Sequence, residues 1–109
     1  MRLPPALAAS ATPRVLDLLG PPPGLVLELG FAGIHAEPLR LAGFEVVVVE
    51  PDPEYAARAA ERAGVVLAAA PAGPFDAVVA PADADLSGIE ARLVVLVGQD
   101  GTAWSRTSP

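Results

Sequence analysis

With 109 residues, the chain has the length of one small domain. It is 52% hydrophobic, which is enough for a buried core, and its lack of cysteine excludes disulfides and thiolate metal sites. The seven basic residues are all arginines scattered along the chain, and the formal net charge is -6. A surface that neutralises nucleic-acid phosphates is therefore not expected.

The first residues resemble a signal peptide only superficially, because their apolar stretch is short and contains Pro4 and Pro5. No apolar run approaches the ~20 residues needed to cross a bilayer. The sequence therefore predicts a cytoplasmic protein with no membrane partner. We expect a loose N-terminal tail over residues 1–11 and a single domain over residues 12–109.

Apolar runs bounded by glycine and proline predict strands. Five such runs occur, at residues 25–29, 45–49, 65–69, 75–80 and 92–97. Their alternation with helical segments favours an α/β fold with a parallel sheet, and right-handed crossovers with the usual reversal give the strand order 3-2-1-4-5. The prediction is a minimal three-layer sandwich, with a short antiparallel strand at 102–106 after a turn.

Capping residues and prolines mark the predicted helices. Thr12 is the expected N-cap of the first helix and Asp52 that of a later one, and each is followed by proline. Between them, a helix within residues 34–42 must begin late, because Pro38 is tolerated only in a first turn. A further short helical segment is expected between residues 83 and 90.

Two acids and a glycine-containing turn follow neighbouring predicted strands. Glu28 comes just before Gly30-Phe31-Ala32-Gly33, and Glu50 follows the second strand. This is the layout of a nucleotide-binding βαβ unit, in which the second acid accepts hydrogen bonds from a ribose. NAD-type dinucleotides, FAD and S-adenosylmethionine all fit such a unit. The carboxylate of Glu28 would repel a pyrophosphate, and a third glycine is absent, so the cationic S-adenosylmethionine is favoured.

In these segments, together with residues 75–79, the chain resembles the class I S-adenosylmethionine-dependent methyltransferases over roughly residues 12–98. The resemblance implies a Rossmann-like fold in truncated form, with S-adenosylmethionine as cofactor. It implies a role for each matching residue. Glu28 would face the methionine amino end, Gly30 and Gly33 would admit the methionine part, Glu50 would hold the ribose hydroxyls and Pro51 would pack beside the adenine.

The chain also departs from the family pattern. Ala32 stands where the family usually has its middle glycine, and its Cβ could narrow the pocket. The residues after the third strand offer no polar group to the adenine amine, and almost no sequence remains for the family's later strands.

Two functional hypotheses stay open. The first is a compact methyltransferase acting on a small molecule, with no catalytic residue assigned. The second is a degenerate, non-catalytic binding or assembly module, with a second copy or a partner chain at the edge of the fifth strand.

Four other residues have a functional and a structural interpretation, of which the structural one is favoured. His35 is either a general base or a solvated residue at a helix start. Asp83 and Asp85 are either reactive groups after the fourth strand or helix caps in a solvated loop. Trp104 either stacks on a substrate or covers the edge of the sheet.

Overall fold

The computed structural model describes residues 4–63, 66–67, 69 and 73–107. Within these residues, four helices accompany one six-stranded sheet. The helices are α1 (Pro5–Ser10), α2 (Thr12–Leu19), α3 (Ala36–Ala42) and α4 (Pro53–Ala63). The strands are β1 (Leu25–Leu29), β2 (Glu45–Val49), β3 (Val66–Leu67), β4 (Phe75–Pro81), β5 (Ala91–Val97) and β6 (Ala103–Thr107).

The strands lie in the order β3-β2-β1-β4-β5-β6. The first five pair in parallel, and β6 pairs antiparallel with β5. The predicted order 3-2-1-4-5 and the antiparallel C-terminal strand are therefore confirmed, and β1 and β2 have the predicted bounds. Because β6 occupies the outer side of β5, the fifth strand is not an edge of the sheet.

The four helices all pack on one face of the sheet, around a core that includes Val15, Val26 and Leu39. The opposite face contains Leu27 and Val78 and is covered, in the part of the chain that the structure describes, by the turns between β4 and β5. The third layer of the predicted sandwich thus consists of turns where a helix was expected.

The expected helix between residues 83 and 90 is wrong, because this segment forms two hydrogen-bonded turns. The Asp85 carboxylate accepts hydrogen bonds from both the N–H and the hydroxyl of Ser87. Such local side-chain bonds compete with helix formation, and Gly88 follows at a positive φ of 78°.

The loose tail expected over residues 1–11 is also wrong where the structure describes it. Pro5–Ser10 forms α1, which begins with proline at its first position and buries Ala8 in the helix-covered core. Ala11 then acts as the N-cap of α2, so Thr12 is not the cap that the sequence predicted. The hydroxyl of Thr12 instead lies beside the ring of His35.

The late start of α3 is confirmed, since Pro38 is its third residue and Gly43 ends it at a φ of 115°. At the start of α4, Asp52 Oδ1 accepts the Glu54 N–H at 3.0 Å, as an N-cap acid should. Arg58 pairs with Glu54 at 3.6 Å on the exposed side of this helix.

Two burial predictions are wrong in detail. The spacing of apolar residues in α4 predicts one buried face that includes Tyr55, Ala59 and Ala60, but Tyr55 is half-buried and Ala60 is exposed, and of the three only Ala59 is buried. The valine run of β2 predicts that Val47 is buried, but this side chain is half-buried. Gly64, which by its position is the predicted end of α4, lies outside the described residues.

Candidate functional site

The two predicted acids and the glycine turn lie at the carboxyl ends of β1 and β2. Glu28 is paired in register with Val48 of β2, and Glu50 follows Val49 directly. In the sheet, β1 lies between β2 and β4. The chain continues from β1 to β2 on one side and later returns to β4 on the other side, so the carboxyl end of β1 is the switch point at which ligands bind in open α/β sheets. The structure therefore brings Glu28, Glu50 and the turn together, as the sequence predicts.

Glu28 lies on the helix-covered side of the sheet and is completely buried. Its Oε2 accepts the main-chain N–H of His35 at 3.1 Å, across the turn that joins β1 to α3. The carboxylate therefore ties the end of β1 to the start of α3. This contact gives Glu28 a role in holding the turn in shape.

The turn itself has the backbone conformation of a glycine-rich loop. Gly30 and Gly33 have φ values of 79° and 77°, and Ala32 has a φ of 51°, the only positive φ of a non-glycine residue in the described structure. An L-residue in the left-handed region costs about 1–2 kcal/mol. Ala32 therefore adopts a backbone conformation that normally favours glycine. A Cβ at Gly30 would lie 3.3 Å from the ring of Pro81.

Glu50 is almost completely buried, with 1% of its surface exposed, and Pro51 beside it is exposed. Its Oε2 lies 3.4 Å from the main-chain nitrogen of Asp52, which donates to it. This carboxylate is thus held near the start of α4. Both acids are more enclosed than the sequence alone suggests.

His35 is the feature of this region that sequence reasoning missed. It is completely buried, which contradicts the expectation of a solvated residue at a helix start. Its Nδ1 lies 2.9 Å from the hydroxyl oxygen of Thr12 in α2. Its ring packs edge-to-face against the ring of Phe31, and the two ring centroids are 4.8 Å apart. Within the described residues, its Nε2 has no hydrogen-bond partner.

Burial lowers the pKa of His35 to about 4, because the apolar surroundings disfavour the charged ring. The imidazole is therefore neutral at neutral pH. It links α2, the glycine turn and, through its main-chain N–H, Glu28. Thr12 and His35 are 23 residues apart, so no local sequence signal could have revealed their pairing.

The remaining candidates lie elsewhere. Asp83 and Asp85 are exposed in the turns after β4, in agreement with the interpretation as a solvated loop. Trp104 is 43% exposed on β6, and its ring lies against Gly98. This position at the edge of the sheet agrees with the structural interpretation of Trp104.

The chain is similar in structure to several solved proteins, two of which are provisionally named methyltransferases. A protein from Methanococcus maripaludis, provisionally named an S-adenosyl-L-methionine-dependent methyltransferase, matches with a TM-score of 0.64 at 10% identity, over 88% of this chain and 57% of that chain. A provisionally named RNA methyltransferase from Pyrococcus horikoshii matches with a TM-score of 0.55 at 19% identity, over 85% and 56%. The protein AibC matches with a TM-score of 0.60 at 19% identity, over 94% and 38%.

These likenesses show the fold. They establish a Rossmann-like architecture similar to that of the methyltransferases, and at 10–19% identity they show no more than that. The chain spans between 38% and 57% of the length of these three structures. No protein-family model and no curated protein sequence matches it. Among the described helices, none has the length and apolar character that crossing a membrane requires.

Proposed function

We propose that this chain binds S-adenosylmethionine at the carboxyl ends of β1 and β2. The observation that carries the proposal is the meeting of Glu28, Glu50 and a left-handed turn at the switch point of the sheet. The likeness to structures named as methyltransferases supports the same ligand.

The residues at the carboxyl ends of β1 and β2 fit this ligand in their charge and in their backbone conformation. S-adenosylmethionine carries a sulfonium and an amino group, and the carboxylate of Glu28 suits a cation better than it suits a pyrophosphate. In this proposal, Glu28 and the backbone at Gly30, Ala32 and Gly33 hold the methionine part. Glu50 holds the ribose hydroxyls, and the exposed ring of Pro51 packs beside the adenine.

Access to this edge is restricted. Glu28 and Glu50 have at most 1% of their surface exposed, so the segments that enclose them must move before a ribose can reach Glu50. When bound, S-adenosylmethionine would supply an activated methyl group, and the chain's own residues would hold and orient it. We propose a small molecule as methyl acceptor if the protein is active.

Calorimetric titration tests the proposal. S-adenosylmethionine and S-adenosylhomocysteine should bind to the protein, and NAD should not. Glu50→Gln should weaken binding by about 10- to 150-fold, because hydrogen bonds to a charged group contribute about 1.5–3 kcal/mol. Glu54→Gln is the matched control, since Glu54 is exposed on α4 and pairs with Arg58. Equal affinity of the protein and Glu50→Gln would show that the assignment of the ribose site is wrong.

A second candidate function is a non-catalytic module that keeps the scaffold without the ligand. The burial of both acids favours it, because each already accepts a main-chain N–H and so contributes to the structure of the turn or of a helix start. The titration separates the two candidates. Absence of binding to either adenosyl compound would favour the module.

A further inference from the structure

A cavity of about 380 Å³ lies on the face of the sheet opposite to the helices, beneath the turns between β4 and β5. Its floor consists of strand residues, among them the buried Val78 and Val94. Leu86 and Ile89 of the turns form an apolar wall. Because this segment forms turns and no helix, it leaves a space above the sheet, and the volume of this space falls in the range of small-molecule sites.

Two side chains of opposite charge line the same cavity, Asp85 from the turns and Arg106 from β6. Arg106 is brought there by its antiparallel pairing with Val94, which places both on one face of the sheet. Within the described part of the chain, neither Asp85 nor Arg106 takes part in an ion pair.

The carboxylate of Asp85 is held in a fixed orientation. Its Oδ1 accepts the Ser87 N–H at 2.9 Å and the Ser87 hydroxyl at 2.6 Å. Oδ2 is left to receive a donor from a ligand, and Arg106 offers a fork of N–H groups that suits a carboxylate. A cavity lined by an apolar floor, a carboxylate and a guanidinium group matches a molecule that has an apolar body and both charges.

We propose that this cavity binds a small zwitterion with an apolar body, such as an aliphatic amino acid. Arg106 binds its carboxylate, Asp85 binds its ammonium group, and the apolar part lies over Val78 and Val94. The site lies on the other face of the sheet from Glu28, and it does not depend on the binding of S-adenosylmethionine.

The test is a titration followed by two-dimensional NMR of the amide groups, with leucine and 6-aminohexanoate as probes. These zwitterions carry the same charges at different spacing. N-acetyl-leucine keeps only the carboxylate of leucine, and leucinamide keeps only its ammonium group. In the same way, hexanoate keeps only the carboxylate of 6-aminohexanoate, and hexylamine keeps only its ammonium group. We expect one zwitterion to bind at least tenfold more tightly than both of its one-charge analogues. The shifted amides should belong to residues 84–94 and 105–107.

Variants then assign each charge. Asp85→Asn should weaken binding of the preferred zwitterion about tenfold or more and should leave binding of its carboxylate-only analogue unchanged. Arg106→Gln should likewise weaken binding of the zwitterion, and it should leave binding of the ammonium-only analogue unchanged. Asp17→Asn and Arg14→Gln are matched controls, because they make the same changes at exposed positions of α2 on the other face of the sheet.

Three results would overturn the proposal. They are the absence of amide shifts in residues 84–94 and 105–107 with either zwitterion, equal affinity for a zwitterion and its one-charge analogues, and equal weakening by the control variants. S-adenosylmethionine itself contains an amino-acid end, so its titration is repeated with Asp85→Asn and Arg106→Gln. Unchanged affinity shows that the sites are separate, whereas weakened binding would overturn the cavity as an independent site.

Discussion

Acidification should destabilise this protein through one buried imidazole. His35 is enclosed between α2 and the glycine turn, and burial lowers the pKa of its side chain to about 4. In the unfolded chain, the pKa returns to about 6.5. Between these two values the unfolded state binds a proton that the folded state does not bind. The free energy of unfolding therefore falls as the pH is lowered through this window, and it is fully regained above about pH 6.5.

The expected magnitude follows from the size of the shift. The full difference between a pKa of 6.5 and one of about 4 corresponds to about 3 kcal/mol, at about 1.36 kcal/mol per unit. About 2 kcal/mol of this should already be lost at about pH 5, where the unfolded imidazole is protonated and the folded one is still neutral. A domain of this size has a total stability of about 5–15 kcal/mol, so the loss is readily measured.

Urea denaturation of the protein and of His35→Gln, at several values between about pH 5 and pH 8, measures this contribution. Glutamine does not titrate, and its amide can exchange a hydrogen bond with the Thr12 hydroxyl that now meets the imidazole. The protein should lose about 2 kcal/mol more than the variant over this range. The variant will be less stable at neutral pH, but the test depends only on how steeply the free energy of unfolding of each protein changes with pH.

The carboxylates do not confuse the comparison, because both proteins contain the same ones. If the two stability curves run parallel between about pH 5 and pH 8, the pKa of His35 is the same in the folded and the unfolded chain, so the side chain is accessible to protons in the folded state. If the protein instead becomes more stable than the variant on acidification, the folded imidazole is charged. Either result would refute the placement of a neutral, fully enclosed imidazole at this position.

Two further predictions concern the turn and the last strand. Ala32→Gly removes a left-handed alanine that costs about 1–2 kcal/mol, but it adds about 0.4–1 kcal/mol of entropy to the unfolded chain and removes a buried methyl group that contributes about 0.8 kcal/mol, so the three terms nearly cancel and stability should change by less than about 1 kcal/mol. Ala60→Gly in the exposed middle of α4 should instead cost about 1 kcal/mol, and similar losses in the two variants would contradict the left-handed assignment. Deletion of residues 102–109 should expose the outer side of β5 and cause association, whereas light scattering that still shows a monomer would mean that β6 does not protect this strand.

Local patterns in the sequence determined the sheet. The valine run of β2 and the apolar run of β1 have the composition of largely buried strands, and β1 and β2 have the bounds that the sequence predicts. Strand–helix alternation, right-handed crossovers and the usual reversal together predict the order 3-2-1-4-5, and that order is observed. The juxtaposition of Glu28 and Glu50 followed from the same topology, because parallel neighbours end at one edge of a sheet.

Tertiary contacts decided what local patterns could not. Ala8 is buried in the helix-covered core and this packing stabilises α1, although the residues around it have the composition of a tail. Thr12 has the pattern of an N-cap, but its hydroxyl meets His35 across 23 residues. The burial of Glu28 and Glu50 depends on the segments that pack over the strand ends, and the cavity at Asp85 depends on the strand that brings Arg106 to it. Each of these features depends on contacts between residues that are distant in sequence. The pattern of neighbouring residues does not predict such contacts, because their free energy depends on how the whole chain packs.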